Sequence, residues 1–345
     1  MQLWKNISRF ALGWLISIVV WLLLRNVGPN SYLETINLEG TTTNIIFFYT
    51  IMSLLAGIVF GGVQTLLERR QYRSFYMMLI SGLGWHFLVM ILMYLLLYIF
   101  IRVNTTLDAA RFVDFLVNPV VWLHFGYSLA VNAVIVIVLY LDRLLGPGNL
   151  RRLLTGKFSS PREEERIFMF LDLVGSTTYA EQMGHLKYSG FIQQCYLDLS
   201  AIEKTGAQVY QYVGDGVVLT WEYTATSLQA ALDSYFIFTQ ALEQNEAYYL
   251  KEFGATPKFR AGLHFGAITA VEVGSLKKEI AYHGDTINTA ARLEGQAKAH
   301  NVDFIVAEEV STQLSKNFTF QKVGSTKLKG RSRETDLYKV KKTNH

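Results

Sequence analysis

The chain has 345 residues, of which 51% are hydrophobic and 17% charged, and a formal net charge of +4. That length leaves room for two domains, and the modest charge, with basic residues gathered at the ends of apolar runs, argues against a nucleic-acid-binding surface. Its single cysteine, Cys195, excludes an internal disulfide and fits a reducing compartment, where packing is its default role.

In chain order, four apolar stretches come first, at about Phe10–Leu24, Ile45–Leu67, Met77–Ile101 and Val120–Leu141. Each is read as long enough to cross a hydrocarbon core of roughly 30 Å. Lys5 and Arg9 precede the first, but no small-residue cleavage site follows it, so a retained signal anchor is expected rather than a cleaved leader. Basic residues fall before the first stretch, between the second and third (Arg69, Arg70, Arg73) and after the fourth (Arg143, Arg151, Arg152, Lys157). The intervening loops hold only Arg25, Arg102 and Arg111. Both termini are therefore predicted to be cytoplasmic, on a multi-pass protein of the cell membrane.

His86 and His124 fall inside the third and fourth stretches, where a bis-histidine haem site has to be weighed. At 1.5 Å per residue along two antiparallel helices the two histidines differ in depth by about 10 Å, which favours interhelical hydrogen bonding over a shared metal. Ala56, Gly57, Gly61 and Gly62 suit a close helix–helix contact.

The organisation read from this pattern is a four-span transmembrane anchor (1–145), a cytoplasmic connector (146–165) and a soluble domain (166–345). In the connector, Gly146, Pro147 and Gly148 should end the last span, and Asn149 can cap a short basic turn. That segment reads either as a surface linker resting on anionic headgroups or as a lever driven by the membrane helices.

The soluble half alternates in period. A strand at 167–172 is followed by a helix at about 179–204, a strand pair at 208–213 and 217–221, a long helix at 227–253 and a strand at 258–265. That order is β-α-β-β-α-β, an α+β, ferredoxin-like (palm-like) fold with helices on one face of an antiparallel sheet. A further strand at 280–283 leads into a helix at 286–299, for which Asp285 is the expected N-cap.

Asp172 ends the first strand, and Gly175, Ser176 and Thr177 form a small-residue loop whose amides can face phosphates. The Gly214-Asp215-Gly216 turn joins the strand pair, and central strands in such a fold are neighbours, so Asp172 and Asp215 can converge. Two carboxylates that close repel unless cations neutralise them, which suits a pair of divalent ions and in-line displacement at phosphorus. Asn288 and Arg292, four residues apart, share a helix face and can address one substrate.

Three segments, IFMFLDLVGST, VYQYVGDGVV and GDTINTAARLE, together resemble the motifs of the class III nucleotide cyclases, in order and spacing, over about residues 165–340. The resemblance implies a membrane-anchored adenylate cyclase in which Asp172 and Asp215 hold two Mg²⁺ or Mn²⁺ ions. Asn288 then orients the ribose and Arg292 stabilises the phosphoryl charge as the 3′-hydroxyl displaces pyrophosphate from ATP. It further implies a homodimer with each site shared across the interface, and it places Lys329 near the terminal phosphates. Where the family typically carries a Lys and an Asp or Thr to read adenine, this chain has Gln211 and Ala281. A Gln amide both donates and accepts, so GTP or a pyrimidine nucleotide stays open. A register offset of one or two would bring Tyr282 or His283 to the base instead. A catalytically inactive nucleotide-binding module is the other reading, against which the retained carboxylates, Asn and Arg count. A diguanylate cyclase is a third; it shares the Gly-Asp turn, but the Asn288-Arg292 motif does not belong to it.

Overall fold

The computed structural model describes residues 2–25, 42–69, 75–104, 119–146, 148–314, 318–327 and 334–343. They form two compact units, 1–143 and 144–345.

The first unit consists of four long helices, α1 (Gln2–Arg25), α2 (Thr42–Arg69), α3 (Phe75–Asn104) and α4 (Pro119–Leu145). Glycine explains the closest pairing. A Cβ on Gly57 would come 2.5 Å from the Ala11 Cα and one on Gly61 2.6 Å from the Ile7 Cα, so α1 and α2 touch along their backbones. Polar residues share the interior with an apolar cluster that includes Phe10, Trp14, Phe60 and Val89: Asn6 donates to Thr65 at 3.1 Å, the Ser17 hydroxyl bonds Tyr127 at 3.1 Å, and Gln64 and Asn132 are buried. His86 is buried against the Phe60 ring at 5.1 Å, and its Nε2 meets the Ser128 hydroxyl at 3.3 Å, an interhelical hydrogen bond between α3 and α4. The His124 side chain lies outside the described residues. Large apolar residues, among them Leu12, Trp85, Phe87, Leu88, Trp122 and Leu123, are exposed. Among the described residues one helical stretch, Phe125–Leu145, is long and apolar enough by itself to cross a membrane; Asn6–Val20, Ser53–Leu66 and Ile80–Leu96 are shorter.

The second unit opens with a short helix, α5 (Asn149–Leu154), capped by Gly148 rather than by Asn149. The Asn149 side chain instead donates back to the Leu145 carbonyl and accepts from Arg152. The strands are β1 (Arg162–Leu173), β2 (Gln208–Val213), β3 (Gly216–Glu222), β4 (Phe259–Val273), β5 (Glu279–His283), β6 (Phe304–Ala307), β7 (Phe318–Thr326) and β8 (Thr335–Lys342). They make one sheet in the order β2-β3-β1-β4-β6-β8-β7, with β5 paired to the far end of β4. The sheet is mixed, because β4 and β6 run parallel while the other pairs are antiparallel.

Helices lie on both faces, unlike the single helical face expected from the element order. Helices α6 (Ser176–Asp198), α7 (Ala225–Gln244) and α8 (Glu246–Phe253) bury Phe191, Cys195, Leu228, Phe238 and Tyr249 with Ile167, Met169 and Leu171 of β1. Helix α9 (Asp285–Ala299) covers the other face, where a Cβ on Gly262 of β4 would come 2.1 Å from the Glu294 nitrogen. Two further boundaries differ from the expected ones. The long helix expected at 227–253 breaks at Asn245, and the helical pattern to 204 ends as a 3₁₀ segment over Leu199–Thr205. A last short helix, α10 (Glu308–Gln313), follows β6.

β1 also begins earlier than its apolar run. Its first residues, Arg162 to Arg166, are charged yet paired with β4, and Arg166 is fully buried. Its Nε donates to Glu164 at 3.1 Å, and its guanidinium lies 4.8 Å over the Tyr282 ring. Lys157 pairs with Glu164 at 2.6 Å, and Arg152 bonds Glu222 at 2.5 Å and Gln208 at 3.2 Å. Phe158 is buried among Phe168, Val218 and Ile268. Residues 149–161 are thereby part of the second unit's packing.

Candidate functional site

Two carboxylates meet where β1 and the β2–β3 hairpin lie side by side. Leu171 pairs with Val217, which sets the turn at Gly214 and Asp215 beside Asp172. Gly216 permits that approach: a Cβ there would lie 3.0 Å from the Leu171 carbonyl and 3.4 Å from Asp172 Oδ1. Gly214, at φ 62°, takes the left-handed conformation the tight turn needs. The Tyr196 hydroxyl of α6 lies 3.0 Å from the Gly214 carbonyl and 2.9 Å from the Gly216 carbonyl, on either side of Asp215.

The electrostatics follow from that geometry. Burial and the neighbouring Asp215 charge push the Asp172 carboxyl above its ordinary value, and Lys298 and Arg260 offset only part of the effect. Burial and then Asp172 raise Glu294 in the same way. Such a group of repelling acids is costly without a counter-charge, and its hard oxygen donors match Mg²⁺ or Mn²⁺. Among the described residues no three His, Cys, Asp or Glu side chains converge as one ligand set. Two carboxylates, completed by substrate phosphates and water, are the usual way such ions are held.

Gly175 caps α6 at φ 75°, with no side-chain cap, so the first-turn amides at Ser176 and Thr177 are available to an anion beside Asp172. On α9 the cap is Gly284, and Asp285 is the first helical residue. Asn288 donates to the Gly284 carbonyl at 3.1 Å, and Arg292 lies 3.7 Å from Asp285. Both face outward, with Asn288 exposed and the Arg292 side chain 35% exposed. Glu294, the residue of this helix that senses Asp172, is about 160° around the axis from Arg292 and about 120° from Asn288. Within one chain the Asn-Arg face therefore points away from the carboxylates.

Gln211 is exposed on β2, just after a bulge between Val209 and Gln211, and Ala281 is half-buried on β5 opposite Val271. Their chain neighbours Tyr210 and Tyr282 touch, with ring centroids 4.9 Å apart. Tyr282 is packed against Phe168 and Arg166, which removes it from the base-reading alternatives, while His283 is exposed. Lys329 lies outside the described residues. Sequence reasoning passed over Tyr196, which no pattern distinguishes from a core tyrosine, and Glu294, although it adjoins the third motif.

The family model for the adenylate and guanylate cyclase catalytic domain matches residues 159–342, more than half of the chain. The chain belongs to that family. Adenylate cyclase 2 of Rhizobium meliloti is 36% identical over 190 residues, covering 54% of this chain and 52% of the relative. Adenylate cyclase 1 of the same organism is 28% identical over 184 residues, covering 51% and 27%. The chain thus spans about half the length of the first relative and about a quarter of the second. Among solved structures, the adenylyl cyclase CyaB from P. aeruginosa aligns over 54% of this chain and 97% of its own, at 17% identity and a TM-score of 0.49.

Proposed function

We propose that the protein is a membrane-anchored cyclase that converts ATP to cyclic AMP and pyrophosphate as a homodimer. The observation that carries the reading is the meeting of Asp172 and Asp215 beside the uncapped start of α6. In that frame the two carboxylates hold a pair of divalent ions, which when bound would neutralise phosphate charge and activate the attacking and leaving oxygens. The first-turn amides of α6 receive phosphate oxygens. The ribose 3′-hydroxyl gives its proton to water, and its oxygen bonds to the α-phosphorus as the bond to the bridging oxygen of pyrophosphate breaks. Asn288 orients the ribose, and the Arg292 guanidinium meets the charge that builds on the phosphoryl oxygens.

Because the Asn-Arg face turns away from its own carboxylates, a second copy has to supply it, and two equivalent sites result from one twofold pair. Adenine is favoured by the adenylate cyclases among the relatives. GTP is the second reading, left open by a Gln at 211, whose amide can face either purine, and an Ala at 281, which adds no side-chain hydrogen bond.

Membrane anchoring through four spans is supported by the apolar outer surface of the first unit and the polar residues among its buried ones. Its buried positions include Asn6, Ser17, Gln64, Thr65, His86, Ser128 and Asn132, while Leu, Ile, Phe and Trp side chains face outward. Lipid solvates such a surface and water does not. Both termini and the catalytic unit are cytoplasmic in this reading.

The test is turnover by the full-length protein with Mg²⁺ or Mn²⁺, offering ATP, GTP, CTP and UTP separately and identifying products by mass. Cyclic AMP is expected; cyclic GMP alone would transfer the assignment to the second reading, and no cyclic product from any nucleotide would overturn both. Mixing Asp172→Ala chains with Arg292→Ala chains should restore activity through one intact hybrid site. Confirmed mixed dimers without recovery would remove the shared site.

A further inference from the structure

The two carboxylates are not held equally. Asp172 pairs with Arg260 of β4 and directly follows Leu171, which is paired with both β3 and β4, whereas Asp215 rides on the turn of a hairpin whose outer strand, β2, is at the sheet edge. Edge hairpin turns are among the first segments to open in a native protein. The sheet therefore fixes Asp172 and leaves the placement of Asp215 to something else.

The neighbouring helix supplies it. Tyr196 is on the second segment of α6, beyond a break at Gly184 (φ 71°, ψ 165°), and its ring packs on Tyr212 of β2 at a centroid distance of 4.6 Å. Its hydroxyl reaches the carbonyls of Gly214 and Gly216 at 3.0 and 2.9 Å, one on each side of Asp215. A tyrosine serving only the core would need one partner for its hydroxyl; this one spans both ends of the segment that presents the carboxylate. Burial and the Asp215 charge raise the Tyr196 hydroxyl well above its ordinary value, so it remains a donor.

Resting on the cyclase reading above, we propose that Tyr196 is a positioning residue for the ion pair. It braces the Gly214–Gly216 segment from α6 and so fixes the Asp215 carboxylate opposite Asp172, without touching substrate or ion. The cation class it serves is the divalent pair, and what it sets is the affinity of that pair.

Tyr196→Phe in the full-length protein removes one oxygen and keeps the ring. The control is Tyr249→Phe: Tyr249 is fully buried, where Tyr196 is half-buried, and its hydroxyl donates to Asp198 at the end of α6 at 2.6 Å, away from the turn. Free Mn²⁺ is followed by electron paramagnetic resonance without nucleotide, and amide exchange is read over residues 213–217. Tyr196→Phe is expected to raise the Mn²⁺ dissociation constant and the exchange rate about fivefold each, the size of one net hydrogen bond. Tyr249→Phe should lower the thermal midpoint and leave the Mn²⁺ curve alone. A Tyr196→Phe curve and exchange profile matching wild type overturn the proposal, as does an equal Mn²⁺ shift in both variants. Both readouts are independent of turnover, so a chain that makes no cyclic product overturns the cyclase reading on separate grounds.

Discussion

The two ends of β1 carry carboxylates in opposite circumstances. Near its start, Glu164 lies between Lys157 and Arg166, and although burial alone would raise it, those two cations hold its carboxyl below the ordinary value. Near its end, Asp172 is raised by burial and by Asp215. One acid has its counter-charge within the chain, and the other faces a second acid. The difference separates structure from function: charge left unbalanced by the fold is charge kept for a ligand.

The strongest way to break this comparison is at the unbalanced end. Asp172→Ala should lower turnover by about 10³-fold or more while the protein stays folded, because charge compensation in the transition state is lost and no packing is. Full activity in that variant would put the ions elsewhere.

At the balanced end the loss should be in stability. Glu164→Gln leaves the buried Arg166 guanidinium to Glu222, whose side chain is 59% exposed, and should cost about 3 kcal/mol, or roughly 6–12 °C in the midpoint of the second unit. An unchanged melt would mean that the Tyr282 ring and Glu222 suffice for Arg166.

The pH dependences should run in opposite senses. The contribution of Glu164 is fully present above its unfolded value of 4.5 and is lost as pH falls through its lowered native value. Asp172 binds a proton more readily in the native state, so between its unfolded value of 3.8 and its raised native value acidification stabilises the ion-free protein. Any rise in melting midpoint given by Mg²⁺ should therefore shrink as pH falls through the raised native value of Asp172. Asp172→Asn should raise the ion-free midpoint by a few degrees and abolish that rise; a variant still stabilised by Mg²⁺ would contradict the assignment.

The smallest effect should come from Arg152→Ala. Its partner Glu222 is largely in solvent, so the pair contributes at most about 1 kcal/mol. A larger loss would show that Gln208 and the packing of α5 matter more than the charge.

Much of the catalytic unit was legible because its signals are local. The β2–β3 hairpin, Asp215 between two glycines and the Asn288–Arg292 spacing each lie within a few residues of chain. What was missed depends on distant partners. The charged start of β1 reads as linker because Arg166 finds Glu222, Gly266 and Tyr282 only after folding. The face on which α9 lies depends on Gly262 admitting the helix backbone, and nothing marks that glycine from outside. The break at Asn245 has neither Gly nor Pro to announce it. In the first unit, four helices were legible from apolar length and a close helix contact from Gly57 and Gly61, but that α1 is the partner depends on Ala11 and Ile7, which nothing in the sequence marks.

β1 behaves as a stiff rod. Lys157 pairs with Glu164 near its start, Phe158 packs against Phe168 midway, Asp172 stands roughly 20 Å from Arg166 towards the other end, and hydrogen-bonded neighbours flank it. A tug on residues 149–161 cannot slide this strand alone, since a slip by one residue would exchange the faces of the buried Arg166 and Ile167 and set the guanidinium among the apolar side chains that Ile167 packs with. Any such tug must tilt the sheet as one plate, so Asp172 and the turn bearing Asp215 would swing together and keep their spacing.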